Sequence, residues 1–461
     1  MYKPVEMTDL VLLVGTNPLP NYVSAKFLLQ KEEKLQRIWL VHSEKNKNQE
    51  ATEDYALRLQ NIIQKELPPS RNIEFVKNNL AINDVGNAQS IEKTIKNNIL
   101  SKISLNHHIH LNYTGGTKAM GTHSYRTIEN FCKEKDRDCS FSYLDARSFK
   151  IVFDNNDNSS DDLRTLIFPE FEDLITLHGF HRINKDSESK FGALLNQFEE
   201  LIKSKKIRDF YNSSPNINGY NRDLFLNKKG ELANKLDTTL KSQNNGSSDE
   251  KAPSESNSKI SLENLENLKK STVNETVQSV FNLFPPEKQI YKNGEFNHNL
   301  NGTINIEEEL KFIDGKWFEE YIFNQLKNKL EIHNIKILKN WVIKKENKNS
   351  YKDFELDILL LRGYQLIGIS CTTSPKSYIC KSKGFEIIHR VKQIGGSESK
   401  AILITFMNSD DYNQNNNVSR LENELILDTG SSKNIKVFGL PDILSGELCQ
   451  KIINFLEMEE N

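Results

Sequence analysis

Over the first 150 residues short apolar runs alternate with segments of helical period, and no other feature constrains the fold of this chain so tightly. Residues 9–14 (DLVLLV), 37–41 (RIWLV), 73–76 (IEFV), 108–113 (HIHLNY) and 139–144 (CSFSYL) predict strands. Segments near 21–30, 52–66, 89–102 and 118–134 carry the helical period. Strand and helix in strict alternation imply right-handed crossovers and an open parallel sheet covered on both faces. A Rossmann-like α/β domain is expected over residues 1–155.

The remaining 306 or so residues need further units, since 461 residues correspond to two to four domains at ~100–200 residues each. Residues 156–300 predict a helical connector, with helical stretches near 168–177 and 191–204. Within it, 242–259 (SQNNGSSDEKAPSESNSK) has no apolar anchor beyond Ala252, so it reads as an insertion too polar to offset its ordering entropy. Counting glycine in place of tyrosine, the apolar share of the chain is roughly 39%, under the ~45–50% of an average domain, which agrees with such a segment. Residues 301–461 predict a second, mixed α/β domain. A helix carries Trp317, Phe318, Tyr321 and Ile322, and strands follow at 335–344, 354–361 and 365–372, the last two joined at Arg362-Gly363-Tyr364. A helix over 382–394 stopped by Gly395-Gly396 and a strand at 401–405 complete the pattern.

Composition excludes several classes. The formal charge of -2 gives no global field for polyanions, so nucleic acid must be gripped locally. No run approaches the ~18 apolar residues of a membrane helix, and MYKPVEMTDLVLLVG lacks a signal-peptide layout. Five cysteines without C-x-x-C spacing argue against a disulfide framework or a cysteine zinc site. A cytoplasmic chain with no membrane partner is expected. No H-x-x-x-H or H-E-x-x-H pair occurs, and His107, His108 and His110 read as edge or surface residues.

Asn112-Tyr113-Thr114-Gly115-Gly116-Thr117-Lys118 stands where a strand ends and a helix begins. Two glycines let backbone amides approach a ligand, hydroxyls flank them, and Lys118 opens a helix whose dipole favours an anion. Phosphate suits this loop, although neither the nucleoside-triphosphate spacing nor a dinucleotide G-x-G-x-x-G is present. The first and fourth strands of such a sheet are neighbours, so Thr16 and Asn17 would face the Gly-Gly loop across the switch-point crevice. The plainer alternative is that Gly115 and Gly116 only make a tight turn.

In the second domain, period-two alternation places Glu355 and Asp357 on one strand face and Phe354, Leu356, Ile358 and Leu360 on the other. Glu319 on the preceding helix adds a carboxylate. Hard oxygen ligands of this kind hold Mg²⁺ or Mn²⁺ against a phosphodiester. The alternative is an ordinary solvated acidic face.

The loop 112–118 on a Rossmann-like sheet resembles the CARF domain, the cyclic-oligoadenylate sensor of type III CRISPR antiviral defence. Gly315 to Glu319, Glu355 to Leu360, Ile369 to Cys371 and Arg390 to Gly396 together resemble the restriction-endonuclease-like PD-(D/E)xK domain of CRISPR ancillary nucleases. The resemblance implies a homodimeric, cyclic-oligoadenylate-activated endonuclease acting on DNA and/or RNA, with cyclic tetra-adenylate the favoured activator. It implies ligand contacts at Thr16, Asn17, Thr114, Gly115, Gly116, Thr117 and Lys118, and metal ligands at Asp357 and Glu319.

One departure from the family pattern stands out. An acid and a lysine are expected two apart on the strand after Asp357, and here those positions are Ser370 and Thr372. Three explanations compete: the groups have migrated to the next helix, where Lys383, Glu386 and Arg390 share a face near Lys381 and Lys376; Glu355 supplies the second charge; or hydrolysis is lost. Migration is favoured, because lysines and a glutamate directly follow the strand end. Loss would leave a cyclic-oligoadenylate-responsive nucleic-acid-binding regulator, and a ring nuclease acting in the sensor pocket is a further alternative.

Overall fold

Every residue of Thr8–Leu13 (β1) is buried, as a strand covered on both faces must be. The computed structural model describes residues 7–47, 49–154, 159–185, 190–212, 219–220, 273–289, 291–292, 295–296, 307–346, 352–408, 417–430 and 434–457. The expected insertion at 242–259 lies outside them. After β1 come Leu19–Lys31 (α1), Leu35–Ser43 (β2), Glu53–Glu66 (α2), Glu74–Val76 (β3), Ala81–Ile82 (β4), Ala88–Ile95 (α3), His108–Asn112 (β5), Lys118–Glu134 (α4), Cys139–Asp145 (β6) and Lys150–Phe153 (β7). The sheet order is β3-β2-β1-β5-β6-β7, with β4 beside β2. All pairings are parallel except β6 with β7. Leu10 and Leu12 pack with α1 and α2 on one face, Val11 and Leu13 with α3 and α4 on the other.

The α/β expectation therefore stands, including the pairing of β1 with β5. The short strands β4 and β7 were not legible in the sequence. The histidine reading is corrected: β5 is a central strand, His110 is 3% exposed with Nε2 2.7 Å from Ser142 Oγ, and half-buried His107 places Nδ1 2.8 Å from Asp9 Oδ2.

The chain then runs through Phe180–Arg182 (β8), the hairpin Tyr291–Lys292 (β9) and Glu295–Phe296 (β10), and the helix Trp317–Ile332. Ile335–Lys345 (β11), Phe354–Arg362 (β12) and Gln365–Thr372 (β13) form an antiparallel meander. After the helix Ser377–Gly395, Lys400–Thr405 (β14) and Ile435–Phe438 (β15) add in parallel. The order is β15-β14-β13-β12-β11-β8, so β8 from the segment after residue 155 forms an edge of this second sheet. Helices Gly192–Lys203 and Glu275–Phe281 share a core with Trp317, Phe318 and Ile322.

Alternation on β12 does not run as expected. Phe354 and Leu356 pack with Leu359 and Leu361, whereas Ile358 and Leu360 pack in the opposite core. The strand exchanges faces at Asp357. Opposite it on β11, between the pairs Lys339–Ile358 and Trp341–Leu356, Asn340 adopts φ 55°. A left-handed residue in one strand and the exchange in its neighbour share one level of the sheet.

The turn between β12 and β13 is two residues, Gly363-Tyr364. Tyr364, 1% exposed, belongs to the core of the first domain, near Phe149, whose ring lies beneath Arg164. Arg164 Nη1 also donates to Gln365 Oε1 at 3.3 Å.

Candidate functional site

Asn112 closes β5 by spending its side chain locally. Its Oδ1 accepts from Thr114 Oγ1 at 2.8 Å and its Nδ2 donates to Ser142 Oγ at 3.0 Å, while Thr114 Oγ1 accepts from the Leu144 amide at 2.8 Å. These bonds turn the chain sharply at the carboxyl end of the central strands. Gly115 follows because no side chain fits there: a Cβ would run into the Leu13 carbonyl and the Asn21 amide. Gly116 needs its φ of 74°. Thr117 caps α4, its Oγ1 accepting from Met120 N at 3.1 Å, and exposed Lys118 is the first helical residue.

Around this turn lies an open cleft of about 650 Å³ lined by Tyr113, Thr114, Gly115, Gly116, Thr117, Lys118, and by Gly121, Thr122, Tyr125 and Arg126 of α4. Backbone amides at a helix N-terminus with Lys118 and Arg126 make an anion-binding surface. Tyr113 and Tyr125 meet edge to face at 5.8 Å. Burial and a 2.8 Å hydrogen bond to Asp154 hold the Tyr113 phenol well above its ordinary pKa, so it is neutral and donates.

Five expected ligand residues thus share one cleft. The other two do not line it: Thr16 is exposed beside it, and Asn17 Oδ1 lies 3.2 Å from His178 Nε2, against Gly396. Sequence reasoning missed Tyr113, Tyr125 and Arg126, although spacings of three and four from Thr122, itself four from Lys118, put the last two on the cleft side of α4.

In the second domain, Asp357 Oδ2 accepts from Cys371 N at 2.7 Å and from Ser370 Oγ at 3.1 Å. Burial raises the Asp357 carboxyl, and the Glu355 charge adds to this. Burial, then the charges of Asp357 and Glu355, raise Glu319 well above the usual range. The Lys383 ammonium opposes both shifts, and Lys316 opposes that of Glu319. Glu319, Asp357 and Lys383 are therefore neighbours.

Thr372 turns to its own strand end, its Oγ1 accepting from Ser374 N at 3.2 Å. Glu386 is exposed. Lys381 is paired with Glu424 and Asp428 at 3.0 and 3.1 Å, and Arg390 lies over Phe354. Lys383 alone of the helix candidates acts on both carboxylates.

Two half-buried carboxylates, raised by desolvation and by neighbouring acidic charge, form a donor set whose charge a divalent cation would relieve. Among the described residues no cluster of three or more His, Cys, Asp or Glu side chains is gathered for a metal, so the fit rests on the Glu319–Asp357 pair.

Comparison with known proteins places this geometry. Residues 10–160 match the sequence model of the Card1 CARF domain. No curated protein matches the chain by sequence. Among solved structures, Can2 from Sulfobacillus thermosulfidooxidans, in complex with cyclic tetra-adenylate, is similar with 16% identity and a TM-score of 0.56, over 97% of this chain and 99% of that one. Protein VC1899 from Vibrio cholerae is similar with 15% identity and a TM-score of 0.56, over the same shares. At such identities the likeness is one of fold, and it runs through both domains. The amino-terminal part of the chain, with its Gly-Gly cleft at the switch point of a Rossmann-like sheet, is a CARF domain.

Proposed function

We infer that the chain is a cyclic-oligoadenylate-responsive ancillary protein of type III CRISPR antiviral defence, and that its second domain is a metal-dependent endonuclease of PD-(D/E)xK type acting on DNA and/or RNA. The cleft at the N-terminus of α4 carries this reading. It offers amides, Lys118 and Arg126 to phosphates, beside tyrosines able to meet bases, on a CARF domain. Cyclic tetra-adenylate is the favoured activator, the ligand named for Can2. A ring with two-fold symmetry suits a homodimer that presents the same loop twice.

Glu319 and Asp357 would hold Mg²⁺ or Mn²⁺, which when bound supplies an acidified water and charge neutralisation at the phosphate. The chain's own groups do the rest. The Cys371 amide and the Ser370 hydroxyl fix the Asp357 carboxylate, and Lys383 supplies from a helix the cation that the family pattern expects two residues after Ser370. This favours migration of the lysine over loss of hydrolysis.

The test uses full-length protein with Mn²⁺ or Mg²⁺, plasmid, single-stranded DNA and unstructured RNA, with and without cyclic oligoadenylates of several ring sizes. Cleavage that requires ring and metal and vanishes in Asp357→Ala is expected. Nucleic-acid binding that survives chelator and Asp357→Ala, without cleavage, would identify a regulator. Loss of the ring itself, without metal and abolished by Lys118→Ala, would identify a ring nuclease.

A further inference from the structure

Two features that stand out in the sequence have no part in the cleft or the acidic site: Asn17, in the loop after β1, and the Gly395-Gly396 pair that ends the helix Ser377–Gly395. The structure brings them together. Gly396 adopts φ 77°, and a Cβ there would stand 2.7 Å from Asn17 Nδ2 and 2.8 Å from Oδ1. Any side chain at residue 396 would displace Asn17.

On its other side Asn17 meets His178, which sits after the short helix Phe171–Leu177. His178 Nδ1 lies 3.0 Å from the Leu174 carbonyl, so Nδ1 carries the proton. Burial pushes the imidazole pKa down to about 4, the ring is neutral near pH 7, and Nε2 is an acceptor. An acceptor at Nε2 assigns the Asn17 amide the other way round from the 3.2 Å Oδ1 contact, with its nitrogen donating to Nε2 and its oxygen turned away. The side chain is clamped between an imidazole and a helix end.

The same loop is tied to the ligand cleft. Gly15 packs on the backbone of Gly116, where a Cβ on Gly15 would lie 3.1 Å from the Gly116 nitrogen. Residues 15–17 thus bridge the floor of the cleft to the C-terminal end of the helix Ser377–Gly395. Thirteen residues back along that helix, about 20 Å at 1.5 Å per residue, stands Lys383. Tyr364 meanwhile holds the β12–β13 turn in the core of the first domain. Among the contacts between the domains, one is a buried aromatic plug and another is a single polar side chain next to the cleft.

We propose that Asn17 is a positioning residue that couples the cleft to the helix carrying Lys383. A ligand that shifts the Gly116 backbone shifts the loop 15–17, and Asn17, packed on Gly396, passes the displacement to the helix end. The helix moves as a rigid element about the Tyr364 plug, which sets Lys383 relative to Glu319 and Asp357. The proposal rests on the reading of the cleft as a cyclic-oligoadenylate site, and it names the contact through which occupancy is read.

The experiment uses the full chain, cyclic tetra-adenylate, Mn²⁺ and nucleic-acid substrate. Ring affinity is measured by calorimetry, cleavage with and without ring by gel, and amide exchange over residues 391–396 by mass spectrometry. Asn17→Ala and Gly396→Ala are compared with wild type; the first introduces no backbone strain and so guards against a folding defect in the second. In both variants the ring dissociation constant stays within about threefold of wild type while ring-stimulated cleavage falls about tenfold, the size of a typical coupling energy. Wild type changes its exchange over 391–396 when the ring binds, and Asn17→Ala does not.

Stimulation at the wild-type level in both variants overturns the proposal. So does an affinity loss in Asn17→Ala, which would return Asn17 to the ligand site. Wild type that binds the ring without cleaving still reports the coupling by exchange. Wild type that binds no ring overturns the reading of the cleft and this proposal with it, and the binding measurement separates that failure from the others.

Discussion

Asp357 Oδ2 accepts the amide hydrogen of Cys371 at 2.7 Å, so the carboxylate at the centre of the acidic site is oriented by the backbone of the adjacent strand. The Ser370 hydroxyl donates to the same oxygen. The residue that stands where the family pattern expects an acid is therefore a partner that steadies Asp357. An acid there would add a further carboxylate to Glu319, Asp357 and Glu355, the first two already raised by burial.

That crowding makes a first prediction. Asp357→Asn keeps the shape and the acceptor for Cys371 but removes one of the crowded acidic groups. Cleavage falls at least about 100-fold, because the metal loses an anionic ligand. The thermal midpoint of metal-free protein rises by about 2–4 °C, the shift expected for roughly 1 kcal/mol in a domain of this size. Calorimetry in chelator checks the second outcome, and a lowered midpoint would mean that the pair is satisfied as it stands.

Lys118 supplies the second. It is exposed at the first turn of α4, where its charge and the helix amides address the same anion. Lys118→Ala weakens cyclic tetra-adenylate by about 10- to 100-fold, the range for a lost charged hydrogen bond to phosphate, and flattens the salt dependence of binding. Thr16→Ala, outside the cleft lining, leaves affinity within about twofold. Titration calorimetry at two salt concentrations distinguishes them.

The sheet of the first domain was legible because both of its physical signals are local. Runs such as Leu10 to Leu13 are apolar at every position, as double burial requires, and the helices α2, α3 and α4 keep a 3.6 period. The Gly-Gly loop was legible for the same reason, since strand end, glycines and helix start are contiguous. The contacts of Asn17 were not legible, because topology puts its loop at the crevice, whereas only tertiary packing shows that its side chain meets His178 and Gly396. Tyr364 read as a turn residue, and nothing local marks it as a plug in another domain's core. On β12, strict alternation failed at Asp357 because the exchange of faces is set across the sheet, where Asn340 is left-handed. Lys383 could be nominated from composition, but choosing it over Lys381 needed the ion pairs of the latter with Glu424 and Asp428.

The buried histidines make a pH prediction. Burial pushes His178 from its ordinary 6.5 to about 4 and His110 to about 3. Both are neutral in the folded chain near pH 7, while in the unfolded chain each takes a proton below about 6.5. The unfolded state then binds more protons, so stability is lost as pH falls from 6.5, and the loss levels off only below about 4 for His178 and about 3 for His110. Each contributes up to about 1.4 kcal/mol per pH unit in that window. Urea midpoints at pH 7, 6 and 5 should fall in wild type and fall less steeply in His110→Gln, whose amide can still meet Ser142 Oγ. Equal slopes would show that His110 takes up its proton while folded.

Tyr364 carries the last prediction. Its ring is 1% exposed in a core built by the first domain, yet it belongs to the turn between β12 and β13, the strands that hold Asp357 and Ser370. Tyr364→Ala empties that socket and costs about 3–5 kcal/mol, as for other large aromatic deletions from cores. The loss is not confined to one domain, because the socket belongs to one and the plug to the other. Wild type should therefore unfold with the two domains coupled, and Tyr364→Ala should separate a first, lower transition from a second. Tyr364→Phe retains most of the stability, since the phenol oxygen has no hydrogen-bond partner. Cleavage in Tyr364→Ala should lose its dependence on the ring as the pivot loosens, while ring affinity remains that of the intact cleft. A single unshifted transition in differential scanning calorimetry would show that the two domains are held together elsewhere, with the Arg58–Glu346 ion pair at 3.1 Å the next contact to remove.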